Sequence, residues 1–266
     1  MSAAQPDVLI RFESLAPDVR IAHVTLDNVR RANSLNSTTM DLFVARLAEL
    51  ARDDTLHALV LTGAGDRAFI GGADIGEMSG LDVEGARSFI TRVHRCCEAV
   101  HHFPTPVIAR INGVVLGAGL ELAAACDLRV AVDTARFGMP EVHLGIPSVV
   151  EAALLPHLMG WGRAREILLL GETFDAAQAE QWGVIERAVP ADQLDATVAG
   201  WLASLAKGGR QALRIQKKLI RAWENLPRSE AITAGIDAFA SAYRGPEPAA
   251  RMAAFNAARA SAKRGV

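Results

Sequence analysis

The stretch INGVVLGAGLELAAACDL, residues 111–128, is apolar or glycine at nearly every position, yet near its middle stands a carboxylate, Glu121. No lysine or arginine follows until Arg129, and positions 124 and 125, where a helical ion-pair partner would sit, are both alanine. A glutamate on a helix ordinarily belongs to a solvated face. Here Leu116, Leu120, Leu122 and the run Ala123–Ala125 leave little polar face for it to join. The pattern predicts a partly buried acid without a local partner, a placement that costs free energy and is tolerated mainly where the acid does chemistry.

Just ahead lie Gly117-Ala118-Gly119, small residues at a helix start. Such a start exposes unpaired N–H groups and partial positive charge, which suits an oxyanion, although glycines before a helix also serve plain tight turns. AFIGGADIGEM, residues 68–78, repeats the arrangement: an apolar strand end, then Gly71-Gly72, then Ala73-Asp74-Ile75. Two such turns could aim two N–H groups at one oxygen. In FGMPEVHLG, Glu141 follows Pro140, which is also how an ordinary first helical turn reads.

Working outward, VLIRFES and VRIAHVTL alternate as a β-hairpin, and STTMDLFVARLAELARDD from Ser37 has helical periodicity with Ser, Thr and Asp in its first turn. HALVLTGAG reads as a buried strand, Val83 to Val100 as a longer helix and PVIARIN as a further strand. This alternation, with glycines at the joints, predicts an α/β domain with crossover connections over residues 1–190. Residues 191–266 read as helices only. No repeat or low-complexity tract interrupts the chain.

The bulk numbers exclude several classes. A chain of 266 residues, half of them apolar, 22% charged and with a net charge of -2, is an ordinary globular protein with no basic patch for nucleic acid. No apolar run is long enough to span a membrane and no signal peptide opens the chain, so a cytoplasmic location is expected. Cys96, Cys97 and Cys126 have neither disulfide nor metal-ligand spacing, and the seven histidines show no HExxH, so no metal is expected. His101-His102 is read as ending a helix. A GxSxG elbow and a GxGxxG fingerprint are both missing, which argues against a serine hydrolase and a nicotinamide cofactor.

RANSLN, AFIGGADIGEM, INGVVLGAGLELAAACDL and FGMPEVHLGIPS, in this order, resemble the enoyl-CoA hydratase/isomerase, or crotonase, family from about Val8 to the C-terminus. The resemblance implies a ClpP-like spiral of ββα units with a C-terminal helical oligomerisation segment, assembled as a trimer or a dimer of trimers. It implies hydration of a 2-enoyl-CoA, with coenzyme A part of the substrate and no separate cofactor. The N–H groups of Ala73 and Ala118 would form the oxyanion hole, Glu121 would activate a water for attack at the β-carbon, and Glu141 would deliver a proton to the α-carbon. Ser34, Leu35, Ala73, Asp74 and Ile75 would hold the adenine end, and Arg30 and Arg31 would stand near the phosphates unless merely solvated. Phe255 matches an aromatic that reaches CoA from a neighbouring subunit, while relatives' lysine is Ala258 here, beside Arg259.

Where many hydratases have a glycine-rich loop, this chain reads LGIPSVVEAALLPHLMGWGRA. That alters the walls near the acyl chain and resembles methylthioacryloyl-CoA hydratases, in which a β-thioether would be hydrated to a collapsing hemithioacetal. Glu151 in this segment is expected in a surface or salt-bridge position. Both family acids are present, which favours hydration over isomerisation. An isomerase, a family hydrolase or decarboxylase, and a catalytically idle or RNA-binding relative remain the alternatives.

Overall fold

A computed structural model describes residues 7–264, with side chains described as far as residue 260. These residues form two compact units, the first ending at Leu202 and the second beginning at Ala203.

The first unit opens with the expected hairpin, β1 (Asp7–Ala16) against β2 (Val19–Asp27), antiparallel with Val8 opposite Leu26. Helix α1 (Ser37–Leu50) starts at Asn36, whose side-chain oxygen accepts the Thr39 N–H at 2.8 Å. It buries Met40, Phe43, Leu47 and Leu50, the three-to-four spacing of one helical face. Strand β3 (Leu56–Gly63) is buried along almost its whole length, as expected of a parallel strand covered on both faces.

From here as far as Gly138, successive strands are dealt alternately to two sheets. β3, β5 (Val107–Ile111) and β7 (Leu128–Val132) join β1, β2 and β10 (Arg187–Val189) in a six-stranded sheet of order β1-β2-β3-β5-β7-β10. β4 (Ala68–Ile70), β6 (Val114–Leu116), β8 (Arg136–Gly138) and β9 (Thr173–Asp175) form a four-stranded sheet in that order. Each β4, β6 or β8 leads into a helical segment: α2 (Ile75–Met78) and α3 (Val83–His101) after β4, α4 (Ala118–Ala124) after β6, and a 3-10 turn, Pro140–Leu144, after β8. This is a spiral of ββα turns. After a second 3-10 turn, Val150–Leu154, come α5 (Leu155–Leu170), α6 (Ala176–Trp182) and α7 (Leu194–Ala206).

The four-stranded sheet decides where the site lies. β4, β6 and β8 are parallel neighbours, with Ile70 beside Val115 and Leu116 beside Gly138, so the turns that follow all three emerge at one sheet edge. Helix α4 can approach that edge because residue 119 is glycine; a Cβ there would stand 2.2 Å from the Ile70 carbonyl oxygen.

The second unit contains α8 (Arg210–Trp223), α9 (Arg228–Ala242) and α10 (Glu247–Arg264). Glu247 accepts the Ala212 N–H at 2.9 Å near the start of α8, and the Trp223 indole N–H donates to the Ala231 carbonyl at 2.9 Å. Ile232, Ile236 and Phe239 form an exposed apolar stripe on α9. Among the described residues no helix is long and apolar enough to cross a membrane.

Candidate active site

Three short turns build one cavity of about 160 Å³ at the edge of the four-stranded sheet. The turn after β4 supplies Gly72 and Ala73, the turn after β6 supplies Gly117, Ala118 and Glu121, and the turn after β8 supplies Pro140 and Glu141. Both expected carboxylates and both expected oxyanion residues therefore line the same space. Apart from Ser148 its remaining walls are apolar, with Met78, Phe89, Val93, Leu144, Ile146 and Val149 among them.

The backbone at both glycine turns is set for close approach. Gly72 has φ +110° and Gly117 has φ +49°, regions that side chains other than glycine rarely adopt. Leu35 pairs across the first turn, donating its N–H to the Gly72 carbonyl at 2.9 Å and accepting the Asp74 N–H at 2.8 Å. That alternation passes over Ala73, whose own N–H takes no part in the pairing. Ala118 opens α4, where the first N–H groups have no carbonyl a turn earlier to accept them.

Glu121 is buried, 3% exposed, as the apolar stretch around it predicts. Removal from water pushes its proton affinity up, and the nearby charges of Glu141 and then Glu151 push it further, to a pKa of about 8; hydrogen bonds from the Ala152 and Val149 backbones work the other way and lose. Glu141 is only half-buried. Its Oε2 accepts a hydrogen bond from the Ser148 hydroxyl at 2.8 Å, and its Oε1 stands where a Cβ on Gly117 would come within 2.4 Å.

The RANSLN loop and the GGADI turn join as one platform. Gly71 donates to the Ala32 carbonyl at 2.8 Å, and the buried Asn33 side chain donates to the carbonyls of Ala64 and Ala68 at 3.0 and 2.8 Å. Ser34 and Leu35 are both buried within this platform, whereas Ile75 is exposed and lines the cavity. Asp74 caps α2 through the Glu77 N–H and pairs with Arg31 at 2.6 Å. Burial alone would raise the Asp74 pKa, but the hydrogen bond from Arg31 and those from the start of α2 hold it below the usual carboxylate range. The Arg31 side chain is otherwise largely open to solvent. Arg30 sits in the exposed 3-10 turn Val29–Arg31. Phe255 lies on α10 in the second unit, exposed, with the Arg259 guanidinium 5.8 Å from its ring centre.

Other residues gain importance only in three dimensions. Ser148 lines the cavity, and its hydroxyl holds Glu141. Glu151 does form an ion pair, to His94 at 2.7 Å, but its side chain is only 13% exposed, so a surface position is incorrect: the 3-10 turn carrying it packs between α3 and α4. The three cysteines are buried and unbridged. Among the described residues no cluster of His, Cys, Asp and Glu is arranged to hold a metal ion.

Comparison with known proteins agrees with this geometry. The family model for enoyl-CoA hydratase/isomerase matches residues 18–257. A probable enoyl-CoA hydratase of Mycobacterium bovis is 35% identical over 240 residues, covering 90% of this chain and 92% of the relative. A short-chain-enoyl-CoA hydratase of Clostridium acetobutylicum is 30% identical over 242 residues, covering 91% and 93%. The crystal structure of an enoyl-CoA hydratase from Bacillus anthracis superposes with a TM-score of 0.87 at 30% identity, covering 93% of this chain and 95% of that one. The two-sheet spiral, the shared cavity at its edge and a match spanning nine-tenths of the sequence lead to one conclusion: the chain belongs to the enoyl-CoA hydratase/isomerase family.

Proposed function

We propose that this protein adds water across the double bond of a 2-enoyl-CoA thioester. The observation that carries the reading is that Ala73, Ala118, Glu121 and Glu141 all line one cavity. In the reaction the water oxygen bonds to the β-carbon, a water proton passes to Glu121, and the electron pair of the double bond moves toward the thioester oxygen. The enolate oxygen accepts the Ala73 and Ala118 N–H groups, each worth about 3 kcal/mol in the transition state when preorganised. Glu141, oriented by Ser148, then protonates the α-carbon. The apolar walls exclude bulk water, which strengthens these interactions.

The platform of Ser34, Leu35, Asp74 and Ile75 is the expected seat of the CoA adenine, with Arg31 standing near the phosphates. Coenzyme A belongs to the substrate, and no further cofactor enters the chemistry. The assembly is a trimer or a dimer of trimers in the cytoplasm, with Phe255 contributed by a neighbouring subunit. A lone 28 kDa species on gel filtration would contradict that assembly.

The test is loss of the conjugated enoyl absorbance with crotonyl-CoA, followed by a panel of short, branched, aromatic and thioether enoyl-CoA esters. Hydration consumes the double bond, whereas isomerisation moves it. Glu121→Gln and Glu141→Gln should each lower kcat far more than they weaken thioester binding, because both acids act in the transition state. Undiminished turnover in either variant overturns the assignment.

A further inference from the structure

We propose that the His94–Glu151 pair, whose glutamate sits on the turn that packs against α4 behind the cavity, is a positioning device that sets the surroundings of Glu121. The inference rests on the reading of Glu121 as an acid–base group.

Glu151 does not line the cavity, so any effect it has on the reaction passes through another residue. Its turn, Val150–Leu154, packs against both α3, which carries His94 and Cys97, and α4, which carries Glu121. One carboxylate oxygen, Oε1, is 2.7 Å from His94 Nδ1; the other, Oε2, is buried, and the Cys97 thiol hydrogen-bonds the Glu151 side chain. The backbone beside it is strained: Val150 has φ +40°, a left-handed conformation that a β-branched residue rarely takes. That turn brings the Val149 and Ala152 backbones to hydrogen-bond Glu121, so one segment offers Glu121 both donors, which favour ionisation, and a negative charge, which opposes it.

The titratable groups facing Glu121 are Glu141 from the turn after β8, Glu151 from its own turn and Cys97 from α3. The Cys97 thiol is held neutral, first by complete burial and then by Glu151 and Glu121. This leaves Glu141 and Glu151 as the charges that act on Glu121. Glu141 meets the substrate cavity and Glu151 does not. The His94 ring is about half exposed, 47%, and joins this buried acid to solvent.

The experiment is a pH titration of the whole protein carrying 13C-labelled glutamate carboxyls, with the Glu121 resonance identified by its loss in Glu121→Gln. In Glu151→Gln the Glu121 midpoint should fall by about one pH unit, a tenfold change in proton affinity. In His94→Leu, which strips the donor from Glu151, it should rise. In His94→Asn, whose amide donates from the position of Nδ1, it should return to the wild-type value. The high-pH limb of kcat/KM should move with each midpoint while KM for crotonyl-CoA stays unchanged. An unmoved midpoint in both Glu151→Gln and His94→Leu overturns the proposal; if Glu151→Gln does not fold, the exposed His94 decides by itself. A midpoint that moves while the kcat/KM limb stays fixed upholds the positioning and instead refutes the catalytic role of Glu121.

Discussion

Replacing Glu121 by glutamine should stabilise the folded protein at neutral pH and above, and by more as the pH rises toward about 8. The folded carboxyl titrates near pH 8 against an ordinary value of 4.5. Between those limits the folded state keeps a proton that the unfolded chain has lost, so the wild-type protein loses stability as pH increases and the loss levels off above about pH 8. Each pH unit in the window costs about 1.4 kcal/mol, giving about 3 kcal/mol by pH 7 and a ceiling of about 5 kcal/mol. Glutamine has no proton to lose, and its side-chain oxygen can still accept from the Val149 or Ala152 backbone. The extra amide hydrogens facing that turn forfeit about 1–2 kcal/mol, a loss independent of pH. The quantity to measure is therefore the stability difference between the two proteins, from denaturant unfolding followed by tryptophan fluorescence at fixed protein concentration and at a series of pH values between about 5 and 9. The difference should be small or unfavourable to the variant near pH 5 and should swing in its favour by several kcal/mol near pH 8. A difference constant across that range would show that Glu121 is not held protonated by burial, and the electrostatic account of the site would fail.

The remaining expectations concern activity. Because the reaction needs Glu121 ionised and Glu141 protonated at once, kcat/KM for crotonyl-CoA should fall as the pH rises above about 8, where the pair loses its shared proton; a rate still climbing beyond about pH 8 would contradict those roles. Ser148→Ala removes the donor to Glu141 and should lower kcat by up to about tenfold with little change in KM, since a hydrogen bond is worth about 0.5–1.5 kcal/mol. Gly117→Ala forces a side chain onto φ +49° and puts its Cβ 2.4 Å from Glu141 Oε1; stability should drop by about 1–3 kcal/mol and kcat by about a hundredfold. Full activity in Gly117→Ala would show that Glu141 does not need the position it has over that turn.

The family, the α/β class and the cavity-lining pair of carboxylates were legible because their signals are local. Periodicity over Met40, Phe43, Leu47 and Leu50 marks α1, and the hairpin alternates as a half-buried pair should. The glycines before Ala73 and Ala118 mark bends whose backbone admits little else, and Glu121 declares itself by the missing polar face around it. The four-stranded sheet was not legible. Its strands β4, β6, β8 and β9 are three residues each, too short for a period to show. Glu151 forms the salt bridge its segment suggests, but its burial was not legible for a related cause: a 3-10 turn of five residues displays no stripe that separates a buried side from an exposed one.

The residue types at the site, the order of the turns that carry them and the shapes those turns take are written into short stretches of chain, because backbone conformation depends on a residue and its immediate neighbours. The proton on Glu121, the grip of Ser148 on Glu141 and the His94–Glu151 pair behind the cavity came only with the assembled fold. They depend on how far water is excluded and on which distant groups lie within a few ångströms, and parallel pairing of β4, β6 and β8 brings together turns separated by tens of residues. Electrostatic energy is set by distance through space and by burial, and neither quantity exists until the sheets have closed around the site.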